Sequence, residues 1–98
     1  MNAKIELLEL LRVSPEGTVL TYADVYFQVN FEDQPSIIYR ETEGGFEQFL
    51  EKLNKDYDAG YGTQELWGTL WLSDGSWAER SEYDGSENWV IKVRPTVP

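Results

Sequence analysis

Residues 66–94 read LWGTLWLSDGSWAERSEYDGSENWVIKVR, and the fold turns on how this stretch is parsed. Trp67, Thr69 and Trp71 alternate with Leu66, Gly68, Leu70 and Leu72 until Ser73-Asp74-Gly75-Ser76 breaks the pattern. Trp77, Glu79, Ser81 and Tyr83 then alternate with Ala78, Arg80 and Glu82, up to a second break at Asp84-Gly85-Ser86-Glu87. Trp89, Ile91 and Val93 alternate with Val90, Lys92 and Arg94 in the last run. Side chains on a strand point to opposite faces with period two, so each run has two distinct faces. Asp-Gly between such runs marks a hairpin, because glycine tolerates the positive φ of the turn. The reading is a three-stranded antiparallel meander holding all four tryptophans.

Upstream, Ile5, Leu7, Leu8, Leu10 and Leu11 form a helical stripe, with Lys4, Glu6, Glu9 and Arg12 on the wet side and Asn2 as N-cap. Ser14-Pro15-Glu16-Gly17 stops that helix. A short β-prone run at 18–22 precedes a strand in which Val25, Phe27, Val29 and Phe31 share one face. Thr21-Tyr22-Ala23-Asp24 also fits a capping box, but the Phe/Val alternation favours a strand from Val25. Glu32-Asp33-Gln34-Pro35 reads as a turn and 36–42 as the returning strand. Phe46, Phe49, Leu50, Leu53 and Tyr57 then predict a second helix over 45–58, followed by a flexible connector at 59–63. A loose tail follows Pro95. The whole predicts a single α+β domain over 1–98: two helices packed on one face of an antiparallel sheet of about five strands, ending in the meander. Most of the tryptophans are expected in the core, with one or two at a protein-binding surface.

The chain lacks cysteine and histidine, which removes disulfides, thiolate nucleophiles, Cys/His zinc sites and the usual neutral-pH general base. Asp74, Asp84, Glu82 and Glu87 lack the converging spacing of a calcium loop, and Glu79 and Glu82 fall on opposite strand faces, so they do not pair as glycosidase carboxylates. No metal, no cofactor and no enzymatic activity are expected. No run of about 18 apolar residues is present, and the start is unlike a signal peptide, so a cytoplasmic location is expected.

Eighteen acidic residues against eight basic ones give a formal charge of −10. That sign disfavours direct binding of nucleic acid or an anionic membrane and favours a basic partner. The acids are dispersed over turns and edges: Glu32, Asp33, Glu41, Glu43, Glu47, Asp56, Asp58, Asp74, Asp84 and Glu87. Carboxylates spaced this way can imitate a phosphate backbone, and these ten are the candidate protein-binding residues.

The segment Gly68-Thr69-Leu70-Trp71-Leu72-Ser73-Asp74-Gly75-Ser76-Trp77, followed by Glu82-Tyr83-Asp84-Gly85-Ser86-Glu87-Asn88-Trp89 and a proline-bearing end, resembles the C-terminal segment of small phage-encoded proteins of uncharacterised function. In size, acidity and lack of Cys and His the chain is similar to phage inhibitors of host nucleic-acid enzymes: anti-CRISPR proteins, anti-restriction proteins and uracil-DNA glycosylase inhibitors. The resemblance implies an inhibitor acting in the host cytoplasm on a basic host protein or nucleoprotein complex, with carboxylates standing in for phosphates. The alternative is a phage structural or assembly protein that binds another protein through an aromatic sheet face. The oligomeric state is left open.

Overall fold

The computed structural model describes residues 1–57, 64–83 and 86–95. It is an α+β fold in which helices α1 (Ala3–Val13) and α2 (Phe46–Lys52) accompany six strands: β1 (Leu20–Val29), β2 (Glu32–Asp33), β3 (Ile37–Arg40), β4 (Leu66–Leu72), β5 (Trp77–Tyr83) and β6 (Ser86–Lys92). All strand pairs are antiparallel. The long strand β1 takes both β3 and β2 along one side and β4 along the other, and the sheet then runs β4-β5-β6 as the expected meander.

The buried apolar residues define one core face. Ala23, Val25 and Phe27 of β1, Leu66, Leu70 and Leu72 of β4, Ala78 of β5 and Trp89 of β6 meet Ala3 and Leu7 of α1 and Phe49 and Leu50 of α2. Asn2 caps α1 as expected, its side chain accepting from Ile5 N–H at 3.1 Å. Gly75 carries the β4–β5 turn at φ +88°, and Asp74 accepts there from the Ser76 backbone N–H at 2.9 Å and from its hydroxyl at 2.5 Å. Those bonds, the hydroxyl's first, hold the Asp74 carboxyl below the usual carboxylate range.

Four local expectations are corrected. The runs at 18–22 and from Val25 form a single strand from Leu20, which pairs with β4 from Leu20 to Phe27 across an irregularity between Leu20 and Tyr22 that shifts the register. Leu20 and Ala23 both turn inward, and their spacing of three hides the strand from a period-two reading. Val29 and Phe31 do not join the core. Asn30 and Phe31 form the β1–β2 turn with φ of 51° and 65°, the double positive φ of a tight hairpin, and Phe31 is 82% exposed. Glu32 and Asp33, expected in a turn, pair with Val29 and Gln28. The second helix stops at Lys52: instead of continuing it, the backbone at 55–57 bonds the start of the chain, Ala3 N–H to Lys55 O at 3.0 Å and Tyr57 N–H to Met1 O at 2.7 Å. Leu53 and Tyr57 are buried all the same. Residues 59–63, the Asp84-Gly85 tip and the tail from Thr96 lie outside the described residues.

One polar cluster crosses the core. The Arg80 side chain, 2% exposed, donates to Glu6 of α1 at 2.8 Å, to Glu87 of β6 at 2.6 Å and to the Tyr57 hydroxyl at 2.8 Å. Tyr57 in turn donates to Glu6. The guanidinium also lies 4.9 Å from the Trp89 ring centroid. Burial and the bond to Glu6 push the Tyr57 phenol up from its ordinary value. Glu87 closes the arrangement by accepting the backbone N–H groups of Glu65 and Leu66 at 2.9 and 3.1 Å.

Two substitutions test this frame by urea unfolding. Arg80→Met leaves the Glu6 and Glu87 carboxylates buried without their cation, and a loss of about 3–5 kcal/mol is expected. Gly68→Ala puts a Cβ 2.2 Å from the Asp24 carbonyl oxygen at a φ of +134°. A loss beyond about 1 kcal/mol is expected there, well above an ordinary surface change; an unchanged midpoint would contradict the close β1–β4 approach.

Candidate functional site: the uncovered aromatic face

The helices occupy one face of the sheet, and among the described residues nothing covers the other. Its composition follows from the register. Tyr22 stands opposite Arg40 on one side and Trp71 on the other, Trp71 opposite Trp77, and Trp77 opposite Lys92. One row across five strands therefore reads Arg40, Tyr22, Trp71, Trp77, Lys92. Two residues along, the row reads Ile38, Asp24, Thr69, Glu79, Val90. Tyr26 and Trp67 begin the next.

The aromatic residues contact one another. Tyr22 and Trp71 meet edge to face with centroids 5.1 Å apart, and Tyr26 and Trp67 lie parallel at 6.4 Å and 7°. The indole N–H of Trp67 donates to Gln64 O at 3.2 Å and that of Trp77 to Glu79 at 3.2 Å. Trp71 is 41% exposed. The cations at the two ends of the first row are engaged: Arg40 lies 5.4 Å from the Tyr22 centroid and 3.9 Å from Glu43, and Lys92 lies 3.0 Å from Glu79. The hydrogen bonds from Lys92 and then Trp77 hold the Glu79 carboxyl below the usual range.

This placement corrects the expectation that most tryptophans are core. Trp89 alone is buried among the apolar residues, while Trp67, Trp71 and Trp77 face outward. The three runs do alternate as read, but alternation cannot say which face a helix covers. Leu66, Leu70 and Leu72 held that signal, as the aliphatic alternative facing the helices.

The candidate acids fall into separate groups. Glu41 and Glu43 in the 3₁₀ turn after β3, with Asp74 in the β4–β5 turn, sit at the end of the sheet where β1 begins. Glu47 lies in the first turn of α2. Glu32, Asp33 and Asp56 gather at the opposite end, where Gln28 donates to Asp33 at 3.0 Å and Asn2 donates to Asp56 at 3.1 Å. These seven are exposed. Glu87 is not a surface acid: it is 6% exposed and held by Arg80, so it belongs to the core cluster. Asp58 and Asp84 lie outside the described residues. The sequence reading missed Asp24, the acid at the middle of the aromatic face.

Among the described residues, no three Asp or Glu side chains converge as a metal site, and no helix is long and apolar enough to cross a membrane.

The two classes of tryptophan separate in a stability measurement. Trp71→Ala should lower unfolding free energy by less than about 1 kcal/mol, whereas Trp89→Ala should cost about 3–5 kcal/mol. Equal losses in urea unfolding would contradict the assignment of faces.

No family model matches the chain, and no curated protein and no solved structure is detectably similar to it, so a functional reading rests on the geometry of the face itself.

Proposed function

We propose that this chain acts by binding a basic protein through the uncovered aromatic face of its sheet, and that it is not an enzyme. The observation that carries the reading is the gathering of Tyr22, Tyr26, Trp67, Trp71 and Trp77 on a face no described helix covers. Trp71 is exposed and the other four rings are half-buried, so covering the face would bury further ring surface at about 25 cal/mol per Å². Trp and Tyr are also the residues most enriched where interfaces are fully desolvated. Five strands at about 4.8 Å by seven residues at about 3.3 Å give a face of roughly 550 Å² in plan. Ring relief brings that near the ~800 Å² that one side of a standard interface buries. The exposed acids at both ends of the sheet then form a charged rim around an aromatic centre, and a net charge of −10 steers basic partners toward it.

A second reading makes the acids themselves the contact: an inhibitor of the phage type that fills the nucleic-acid channel of a basic host protein in the host cytoplasm. The exposure of Glu32, Asp33, Glu41, Glu43, Glu47, Asp56 and Asp74 favours it.

The two readings part in one experiment. The partner is captured from a bacterial lysate and identified by mass spectrometry. Binding is then measured at low and high salt, with and without nucleic acid, for the parent chain, for Trp71→Ala/Trp77→Ala and for Glu41→Lys/Glu43→Lys/Glu47→Lys. Aromatic-face binding predicts that the tryptophan variant loses the partner at every salt concentration, while charge reversal mainly slows association. Binding that survives the tryptophan changes, collapses on charge reversal and excludes nucleic acid would overturn the first reading in favour of the second.

A further inference from the structure

The middle of the aromatic face is not apolar. Asp24 lies on β1 between Tyr22 and Tyr26, two residues from each, and stands opposite Thr69, which lies between Trp67 and Trp71 on β4. The tyrosines are four residues apart, about 13 Å along the strand. Two ring pairs, Tyr22 with Trp71 and Tyr26 with Trp67, therefore wall a short trough whose floor is Asp24 and Thr69. The trough is bounded by Ile38 on the β3 side and by Glu79 on the β5 side. The floor carboxylate and the bounding one differ. Glu79 is occupied by Lys92 and by the Trp77 indole. Asp24 is half-buried, and among the described residues it has no hydrogen-bond or ion-pair partner.

We infer that this trough is a recognition site for an arginine side chain of the partner protein, with Asp24 as its anion. The inference rests on the aromatic-face reading above and gives it a chemical specificity. A half-buried carboxylate between ring pairs selects a ligand that is cationic and flat. A guanidinium answers both demands, since it forks onto a carboxylate with two parallel N–H donors and stacks its plane on aromatic faces. An ammonium meets only the charge. The chain already uses this chemistry twice, with the Arg40 guanidinium 5.4 Å from the Tyr22 centroid on this face and that of Arg80 4.9 Å from Trp89 in the core. The same carboxylate repels phosphate, which sets nucleic acid aside despite the stacking rings. A neutral sugar would leave Asp24 without the opposite charge the trough is shaped to receive.

The probe is the capped tripeptide acetyl-Gly-Arg-Gly-amide, with lysine and citrulline versions, titrated against the full ¹⁵N-labelled chain while the indole N–H signals are followed. Saturable shifts at Trp67 and Trp71 are expected in the millimolar range, the scale of one cation–π contact with one exposed ion pair. The lysine peptide should bind several-fold more weakly, and the citrulline peptide, flat but uncharged, should not shift the signals. Asp24→Asn should weaken arginine binding by about tenfold. Glu32→Gln, which removes the same charge far from the trough, should change it by less than about twofold. Circular dichroism of Asp24→Asn checks that the substitution leaves the fold intact. Equal effects of the two substitutions would reduce the binding to the general field of an acidic protein and overturn the site. So would equal shifts from the citrulline peptide or from a neutral hexasaccharide, or none from arginine. If Asp24→Asn keeps the captured partner while Trp71→Ala/Trp77→Ala loses it, the arginine site fails and the aromatic-face reading stands. If both keep it, the face reading fails.

Discussion

A guanidinium sits in the interior of this small domain with almost no access to water, and the packing around it is organised to make that tolerable. Burying an unpaired charge is prohibitive, and even paired charges recover their desolvation cost only when geometry and extra hydrogen bonds are favourable. Arg80 has both: Glu6 from the first helix, Glu87 from the last strand, the Tyr57 hydroxyl, and a Trp89 ring against its plane. Each partner comes from a different segment. The cluster therefore fixes where α1 lies on the sheet and how β6 registers against β5, which apolar contacts of similar area would specify less sharply. Glu87 extends the constraint to the entry of β4 through the backbone N–H groups of Glu65 and Leu66. Specification of this kind orients the sheet: with one face committed to Arg80 and the helices, Tyr22, Tyr26, Trp67, Trp71 and Trp77 point the other way.

The division between the faces explains what the sequence discloses. The meander was legible because Asp74-Gly75 and the alternation around it are local signals, and Gly75 takes the positive φ such a turn requires. The extent and cap of the first helix were legible because both signals are contiguous, but its faces were misjudged: Ile5 and Leu8 of the expected stripe are exposed, and Glu6, expected in water, joins the buried Arg80 cluster. What stayed hidden depends on contacts between distant segments. The bulge near Thr21 shifts Leu20 into line with Ala23 only because β4 supplies the register. The second helix is cut short by backbone bonds to Met1 and Ala3, more than fifty positions away. Glu87 looked like a turn acid in sequence and becomes a core residue only once Arg80 faces it.

The candidate site shows the same limit. Aromatic content was plain, yet period-two alternation is symmetric between faces, and a tryptophan is equally at home under a helix or in an interface. The deciding residues were the aliphatic ones on the same strands. Leu66, Leu70 and Leu72 fill the space against the helices, which leaves the bulkier indoles to the open side. Asp24 passed unnoticed because a lone acid in a strand carries no motif; its meaning comes from Thr69, Trp67 and Trp71 across the ladder.

The span of the Arg80 cluster also bears on the order in which the molecule assembles. Glu6 and Arg80 are 74 positions apart in sequence, and Tyr57 joins Glu6 across 51. Closing loops of that length is entropically costly before the contact rewards it, which slows folding. The β4–β5–β6 meander, by contrast, can form from neighbours alone. A folding chain should thus pass through a stage in which the meander exists, α1 is undocked, and the inner face bearing Leu66, Leu70 and Ala78 is open beside an outer face already lined with indoles. Such a two-sided apolar sheet is prone to self-association. Arg80 and Glu87, already adjacent within the meander, place a charged pair on that inner face and keep it from being uniformly sticky until Glu6 arrives to seal it.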